Sequence, residues 1–226
     1  MNITYYGHAC FGIEVNGKNL LFDPFIKPNP LAAKINIKNI PADYIFISHG
    51  HTDHIADAIE IAKQTKATVI SNFEIIHWLA ERGVENGHGM NIGGKYKFDF
   101  GVVKMVYAAH SSQMPDGSYG GNPGGFIIKS PVGNFYFAGD TGLSYDMKLI
   151  GDYANIEYAF LPIGGNFTMD VDNAIFAAEF IKCEKIIGMH YNTFPVISID
   201  IKEAKDKFHR AGIDLLLPGI GETISI

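Results

Sequence analysis

Cysteine is scarce in this sequence: Cys10 and Cys183 are its only two among 226 residues, and their spacing forms no paired motif. They therefore predict reduced packing groups rather than a disulfide framework. Long apolar runs are also missing, and the start MNITYYGHAC lacks the basic and apolar regions of a signal peptide. We expect neither a transmembrane span nor export, and hence a soluble protein of the cytoplasm.

Positive charge is in deficit as well, with 18 Lys and Arg against 24 Asp and Glu and a formal net charge of −6. Without a basic run, no extended nucleic-acid surface is predicted, although a small anionic substrate held by metal ions remains compatible. Hydrophobic residues make up 47% of the chain, enough for a sizeable core. We expect one domain over residues 1–226, and the oligomeric state stays open.

β-rich and helical segments alternate along the chain. Residues 3–15 and 19–22 predict a hairpin around Asn16-Gly17, a strong two-residue turn signal. Further strands are predicted at 44–48, 67–70, 95–99, 102–109, 126–129, 134–138, 158–162, 185–189 and 214–217, and helices at 54–66, 73–82, 145–152, 171–181 and 200–211. This order predicts an α/β protein, a four-layer α/β/β/α sandwich in which helices cover two sheets.

One short segment, Ser48-His49-Gly50-His51-Thr52-Asp53-His54, concentrates polar side chains between a predicted buried strand and a predicted helix. His49 and His51 are two residues apart on extended chain, so their side chains point the same way. Three imidazoles and a carboxylate within six residues suit a divalent metal ion better than a core. A polar loop that caps the following helix is the alternative interpretation.

The pattern His-x-His-x-Asp-His resembles the signature of the metallo-β-lactamase superfamily, and later polar residues follow in that family's order along essentially the whole chain. They are His110, Asp140 and His190, each at the end of a predicted strand. The segments YGHACF at 6–11 and PIGGNFTM at 162–169 look like a small group of metal-dependent hydrolases. That group is similar to the ascorbate-6-phosphate lactonases and the N-acylphosphatidylethanolamine phosphodiesterases.

The resemblance implies a metallo-β-lactamase fold that holds two divalent metal ions. In this arrangement one ion would be bound by His49, His51 and His110, the other by Asp53, His54 and His190, with Asp140 bridging both. Ligands of this kind without cysteine favour Zn, Mn, Fe or Ni. Asp23, which follows the strand 19–22, is expected to orient a ligand histidine from outside. An Asp-Pro turn is the alternative interpretation of Asp23.

Two divalent ions outweigh the charges of Asp53, Asp140 and one hydroxide, so the site is expected to attract small anionic esters. Metal-bound water with a pKa near 7 makes hydroxide available at neutral pH. The predicted function is metal-dependent hydrolysis of a phosphoester or phosphodiester. A lactonase or other carboxylic ester hydrolase is the alternative. A non-catalytic metal-binding regulator is an alternative of another class, which the full ligand set disfavours.

His8 and Asp53 are the predicted catalytic residues. Gly7-His8 interrupts a β-rich run, as a bulge near a functional site would, so His8 is expected to act as a general acid or to contact substrate. The alternative is a histidine hydrogen-bonded at a sheet edge. Residues 111–125, which begin directly after His110 and are rich in glycine, predict a mobile cover over the metals. A rigid surface loop is the alternative.

Overall fold

Two seven-stranded sheets pack face to face in the computed structural model, which describes residues 1–226. The strands are β1 Asn2–Gly7, β2 Cys10–Val15, β3 Lys18–Phe22, β4 Tyr44–Phe46, β5 Thr68–Asn72, β6 Gly87–Met90, β7 Lys95–Lys97, β8 Val102–Tyr107, β9 Gly124–Ser130, β10 Gly133–Phe137, β11 Tyr158–Pro162, β12 Lys185–Met189, β13 Asp214–Leu216 and β14 Thr223–Ser225. The helices are α1 Thr52–Ile55, α2 Ala58–Thr65, α3 Phe73–Ala80, α4 Met147–Tyr153, α5 Val171–Ile181 and α6 Ile201–Arg210, with short 3-10 helices at Pro30–Ala32, Ile37–Asn39 and Pro195–Ile197.

Both sheets change from antiparallel to parallel pairing partway across. The first has the order β14-β1-β2-β3-β4-β5-β6 and is parallel from β3 to β6. The second has the order β13-β12-β11-β10-β9-β8-β7 and is parallel from β10 to β13. Because parallel strands end at the same edge, the loops that follow them gather there.

Two hydrophobic clusters hold the layers together. The larger has 42 buried residues, fills the space between the sheets with rings such as Phe11, Phe46 and Phe160, and continues under α4, α5 and α6. The smaller has 18 buried residues and packs α2 and α3 on the outer face of the first sheet, through Ile61 and Leu79 for example. The α/β prediction and the α/β/β/α layering are confirmed.

The predicted hairpin around Asn16-Gly17 is confirmed as β2 and β3, but its first strand is shorter than predicted. Residues 3–15 form two paired strands, β1 and β2, because Gly7 and His8 adopt φ of 107° and 57° and reverse the chain. The predicted helix 54–66 is also divided, into α1 and α2, around Asp57, whose carboxylate accepts the backbone N–H groups of Ile26 and Lys27. Strands β6 and β14 were not predicted.

Two backbone hydrogen bonds connect the sheets at the edge where the ligand loops meet. The His190 amide donates to the His8 carbonyl at 2.9 Å, and the Gly124 amide donates to the Ser48 carbonyl at 3.0 Å. Each bond fixes a loop of one sheet against a strand end or turn of the other. None of the helices has the length and apolar character needed to cross a bilayer.

Candidate metal centre

The seven residues predicted as ligands come together at one edge of the sandwich. His49 lies just beyond the end of β4, and His51, Asp53 and His54 lie at or in α1. His110, Asp140 and His190 follow β8, β10 and β12 in the second sheet. The site is therefore assembled from loops of both sheets, with each side chain placed by the end of a buried strand.

His49, His51 and His110 form the first group of potential metal ligands. Nε2 of His49 lies 3.0 Å from Nδ1 of His51, and the His110 ring centroid lies 5.0 and 5.1 Å from the other two rings. Nitrogen atoms of three imidazoles converge in this way when they share one ion. His49 is fully buried, whereas the His110 side chain keeps 12% of its surface exposed.

Asp53, His54 and His190 belong to the second group, together with His8. Oδ2 of Asp53 lies 3.9 Å from Nε2 of His54 and 3.9 Å from Nε2 of His190. Both imidazoles are buried, and the Asp53 side chain is 28% exposed. One carboxylate and two imidazoles thus face a common point from three directions.

Asp140 lies between the two groups. Its Oδ2 is 3.0 Å from Nε2 of His190, 3.3 Å from that of His54, 3.6 Å from that of His110 and 3.9 Å from that of His49. Oδ1 of Asp140 and Nε2 of His54 are buried without a hydrogen-bond partner. Unpaired buried polar atoms are costly, and divalent ions would satisfy them, so the residues present fit a metal centre.

Asp23 holds two of the imidazoles from outside the centre. Its carboxylate is completely buried, accepts a hydrogen bond from Nδ1 of His54 at 2.8 Å, and accepts the Ser48 amide and hydroxyl at 2.7 and 2.6 Å. The Ser48 hydroxyl oxygen in turn lies 2.9 Å from Nδ1 of His49. With both Nδ1 atoms engaged, the Nε2 atoms of His49 and His54 are the ones directed into the centre.

His8 lies beneath Asp53 with no exposed surface. Nε2 of His8 is 3.0 Å from Oδ2 of Asp53, and Nδ1 is 3.0 Å from Oγ1 of Thr193. The rings of Phe25 and Phe194 pack against the imidazole in T-shaped, edge-to-face geometry. Sequence reasoning missed Thr193; its position three residues after His190 was the only signal for it.

Three residues of the centre have left-handed backbone conformations, with φ of 57° at His8, 40° at Asp23 and 55° at His190. Such conformations are uncommon for residues with a Cβ and cluster at functional sites, where the surrounding structure enforces them. Here the neighbouring hydrogen bonds, including that from the His190 amide to the His8 carbonyl, supply the constraint. The backbone is therefore shaped to aim these side chains inward.

Burial and neighbouring charges shift the pKa values of the histidines of the site in opposite directions. Burial lowers the pKa of His8 to about 4, and burial also lowers the pKa of His49, His51 and His110. Burial opposes charge on His54 too, but the carboxylates of Asp140 and Asp23 raise the pKa of His54 well above its usual value. The histidines with lowered pKa are neutral at pH 7, which is the state that binds a metal.

Residues 111–125 are anchored rather than free. The Asn72 side-chain amide donates to the carbonyls of Gly120 and Asn122 at 2.7 and 3.1 Å. The Asp116 carboxylate accepts hydrogen bonds from Trp78 and Arg82 at 2.7 and 2.6 Å. These contacts favour the rigid loop over the mobile cover expected from its glycines.

Proteins of similar sequence and structure support this description of the site. A family model described as a β-lactamase superfamily domain matches residues 2–190. A UPF0173 metal-dependent hydrolase of Flavobacterium johnsoniae is 54% identical over 226 residues, which cover 100% of both chains. A solved metallo hydrolase from the archaeon Ignicoccus hospitalis superposes with a TM-score of 0.89 at 39% identity, over 99% of this chain and 97% of that one. The chain therefore belongs to the metallo-β-lactamase superfamily and, within it, to the UPF0173 metal-dependent hydrolases.

The same fold extends to more distant proteins. An isothiocyanate hydrolase from Delia radicum gut bacteria has a TM-score of 0.82 at 19% identity, over 100% of this chain and 99% of that one. At this identity the likeness concerns the fold alone. The class of activity, metal-dependent hydrolysis, follows from the full-length relatives and the ligand-like His and Asp groups.

Proposed function

We propose that this chain hydrolyses a phosphodiester or related phosphoester at two divalent ions. The first would be held by His49, His51 and His110, and the second by Asp53, His54 and His190. The observation that carries the proposal is the position of Asp140, whose Oδ2 lies within 3.9 Å of an Nε2 atom in each group. One carboxylate placed between two sets of imidazoles is suited to bridging two ions.

Divalent ions at these positions, with Zn, Mn, Fe and Ni as the candidates, would provide Lewis acids and lower the pKa of water to about 7. Asp140 would fix the separation of the two groups, and the Asp23–His54 hydrogen bond of 2.8 Å would hold the imidazole of His54 in orientation. Asp53 is the ligand carboxylate with an exposed surface, so substrate would meet it directly.

We propose that His8 acts by way of Asp53. Its imidazole is fully buried and its Nε2 contacts Oδ2 of Asp53, so it would hold that carboxylate in position rather than donate a proton to substrate itself. Burial opposes ionisation of Asp53, but the hydrogen bond from His8 and the nearby charge of His54 together hold the pKa of Asp53 below its usual range. Asp53 would therefore stay ionised at neutral pH and accept from His8.

Hydrolysis of a lactone or another carboxylic ester is the second candidate, because attack on a carbonyl needs the same nucleophile and the same positive centre. The relative from Flavobacterium johnsoniae bears the general name of metal-dependent hydrolase, which suits either substrate. A metal-binding regulator without catalysis is the remaining alternative.

Purified protein reconstituted separately with Zn, Mn, Fe and Ni tests the proposal. We expect elemental analysis to give roughly two ions per chain and turnover of generic phosphodiesters to exceed that of lactones. Faster turnover of lactones would select the second candidate. Two bound ions with no turnover of any ester would favour the regulator, and a single ion at full activity would contradict the bridging role of Asp140.

A further inference from the structure

The loops around the metal centre carry almost no positive charge. We define the rim as residues 7–9, 23–29, 48–54, 109–125, 139–146, 163–170 and 190–200, which contain or adjoin every proposed ligand. Lys27 is the one lysine or arginine in these segments, and its ammonium group is paired with Glu60 at 2.8 Å. Lys148, two residues beyond the rim, donates to the Tyr145 hydroxyl at 3.0 Å, so the rim itself contributes no unpaired ammonium or guanidinium group.

Negative charge, in contrast, is present in the rim beyond the proposed ligands. Asp116, Asp146, Asp170 and Asp200 are exposed there, and Asp170 and Asp200 cap α5 and α6. Arg82, two residues beyond the end of α3, pairs with Asp116 at 2.6 Å. A dianionic phosphate would be attracted by the ions, whereas the uncompensated carboxylates of the rim would oppose its approach.

Large apolar side chains occupy the exposed positions where cations are missing. Phe167 is 56% exposed, Val196 60% and Tyr119 67%. Phe194 is half-buried with its ring centroid 5.4 Å from that of His8. Apolar side chains on loops that carry the proposed ligands are available to contact an apolar group of a substrate.

These apolar side chains are held close to the ligand loops. The loop of Phe167 is tied to the residue after Asp140 by the Met169 amide, which donates to the Thr141 carbonyl at 3.0 Å. The hairpin of Tyr119 is tied to the segment between His49 and His51, because the Gly50 amide donates to the Ser112 hydroxyl oxygen at 3.0 Å. Substrate approaching the centre therefore passes an apolar and weakly acidic rim.

We infer that the substrate carries no more than one negative charge at its reacting group and an aromatic or long apolar substituent beside it. A phosphodiester or a neutral ester fits this description, and a phosphomonoester dianion does not. The inference rests on the proposed function, since it narrows the substrate of the same site.

Binding to the two-metal protein tests the inference without requiring turnover. Calorimetry should give methyl phenylphosphonate, a monoanion, an affinity equal to or greater than that of phenylphosphonate, a dianion with the same ring. Replacing the phenyl ring by methyl should weaken binding. Tighter binding of the dianion, or equal binding of the methyl analogue, would overturn the inference. Absence of ester turnover would count against the proposed function but would not affect this binding test.

A matched pair of variants at the rim adds charge without touching a ligand. Val196→Lys and Val196→Gln both remove the apolar side chain, but only the first adds a cation. We expect Val196→Lys to strengthen phenylphosphonate binding roughly fivefold to tenfold over Val196→Gln, a size typical of one charge near a protein surface, and to change methyl phenylphosphonate binding less. Equal affinities of the dianion in the two variants would overturn the inference, because residue 196 would then not border the bound substrate.

Discussion

The two groups of proposed ligands differ in how they are supported. In the first group, His51 is half-buried and its nearest outer contact is the Ser111 hydroxyl at 3.4 Å, while His110 stays partly exposed. In the second group, His54 is fully buried against Asp23 at 2.8 Å, and Asp53 is held by His8. Outer hydrogen bonds fix ligand orientation and raise affinity. We therefore expect the second group to bind its ion more tightly than the first.

Asp140→Asn should have the largest effect, because it should weaken both groups. Asp140 contacts imidazoles of each group, and an amide is a poorer bridge than a carboxylate because it lacks the negative charge. We expect bound metal to fall from roughly two ions per chain to one or fewer, with activity lost together with the metal. Elemental analysis after gel filtration measures the bound metal, and an ester turnover assay measures the activity.

Asp146→Asn, an exposed aspartate six residues further along the same loop, is the matched control and should keep both ions. Full metal content in Asp140→Asn would show that Asp140 is not needed by either group.

Asp23→Asn should weaken the second group more than the first, because Asp23 contacts His54 directly but His49 only through the Ser48 hydroxyl. The substitution keeps the size of the buried side chain but removes the charge that pairs with His54. We expect affinity for the more tightly bound ion to fall by roughly 10-fold to 100-fold, measured by titrating metal-free protein with a competing chelator.

Asp57→Asn provides a control, because Asp57 is also buried and accepts two backbone amides but touches no ligand. Equal loss of metal affinity in the two variants would mean that Asp23 acts only through general stability.

Thr193→Val should have a smaller effect on the same group. Valine keeps the shape of threonine but cannot bond to Nδ1 of His8, so the imidazole that supports Asp53 loses its fixed orientation. We expect roughly tenfold weaker binding of the second ion, the lower end of such outer contacts, and little change for the first.

Thr193→Ser keeps the hydroxyl group and should restore most of the affinity. Failure of serine to restore it would assign the role of Thr193 to packing rather than to the hydrogen bond.

Acid should destabilise the metal-free protein through the lowered pKa values of the histidines in the first group. The unfolded chain protonates histidine near pH 6.5, whereas burial lowers the pKa of His49, His51 and His110 in the folded chain. The unfolded state then binds more protons as the pH falls below about 6.5, so stability falls with it. Thermal unfolding at about pH 7.5 and pH 5.5 measures the effect.

His54 of the second group opposes this trend, because its pKa is raised and its charged form is stabilised by folding. His51→Gln should therefore flatten the acid loss of stability, and His54→Gln should steepen it. His77→Gln, at an exposed position of α3, serves as the control. The same pH dependence in all three variants would refute the contrast between the groups.

The layers of the fold were predictable because hydrophobic periodicity reports burial within an element. Tyr44–Phe46, Tyr158–Pro162 and Lys185–Met189 are short apolar runs and formed buried strands as expected. The division of 3–15 into two strands was not predictable from that signal, because it depends on the positive φ of His8, a residue with a Cβ. Strand β14 was missed because its only strand partner, β1, lies at the other end of the chain.

The part of the site whose ligands lie close together in the sequence was predictable. His49, His51, Asp53 and His54 were singled out by spacing alone, and the structure brings them together with His110, Asp140 and His190. Contacts between side chains distant in sequence, such as Thr193 with His8, required the fold. The mobility expected of residues 111–125 was inferred from glycine content, which does not reveal the anchors at Asn72 and Arg82.

The two backbone hydrogen bonds that join the sheets have a consequence for solvent exchange. The amides of His190 and Gly124 can exchange their protons only when the sheets separate at the metal edge, because their acceptors, His8 and Ser48, belong to the opposite sheet. We expect both amides to exchange at a rate set by global unfolding, although they lie in or beside loops. Their protection would report directly on whether the two halves of the sandwich ever part in the native state.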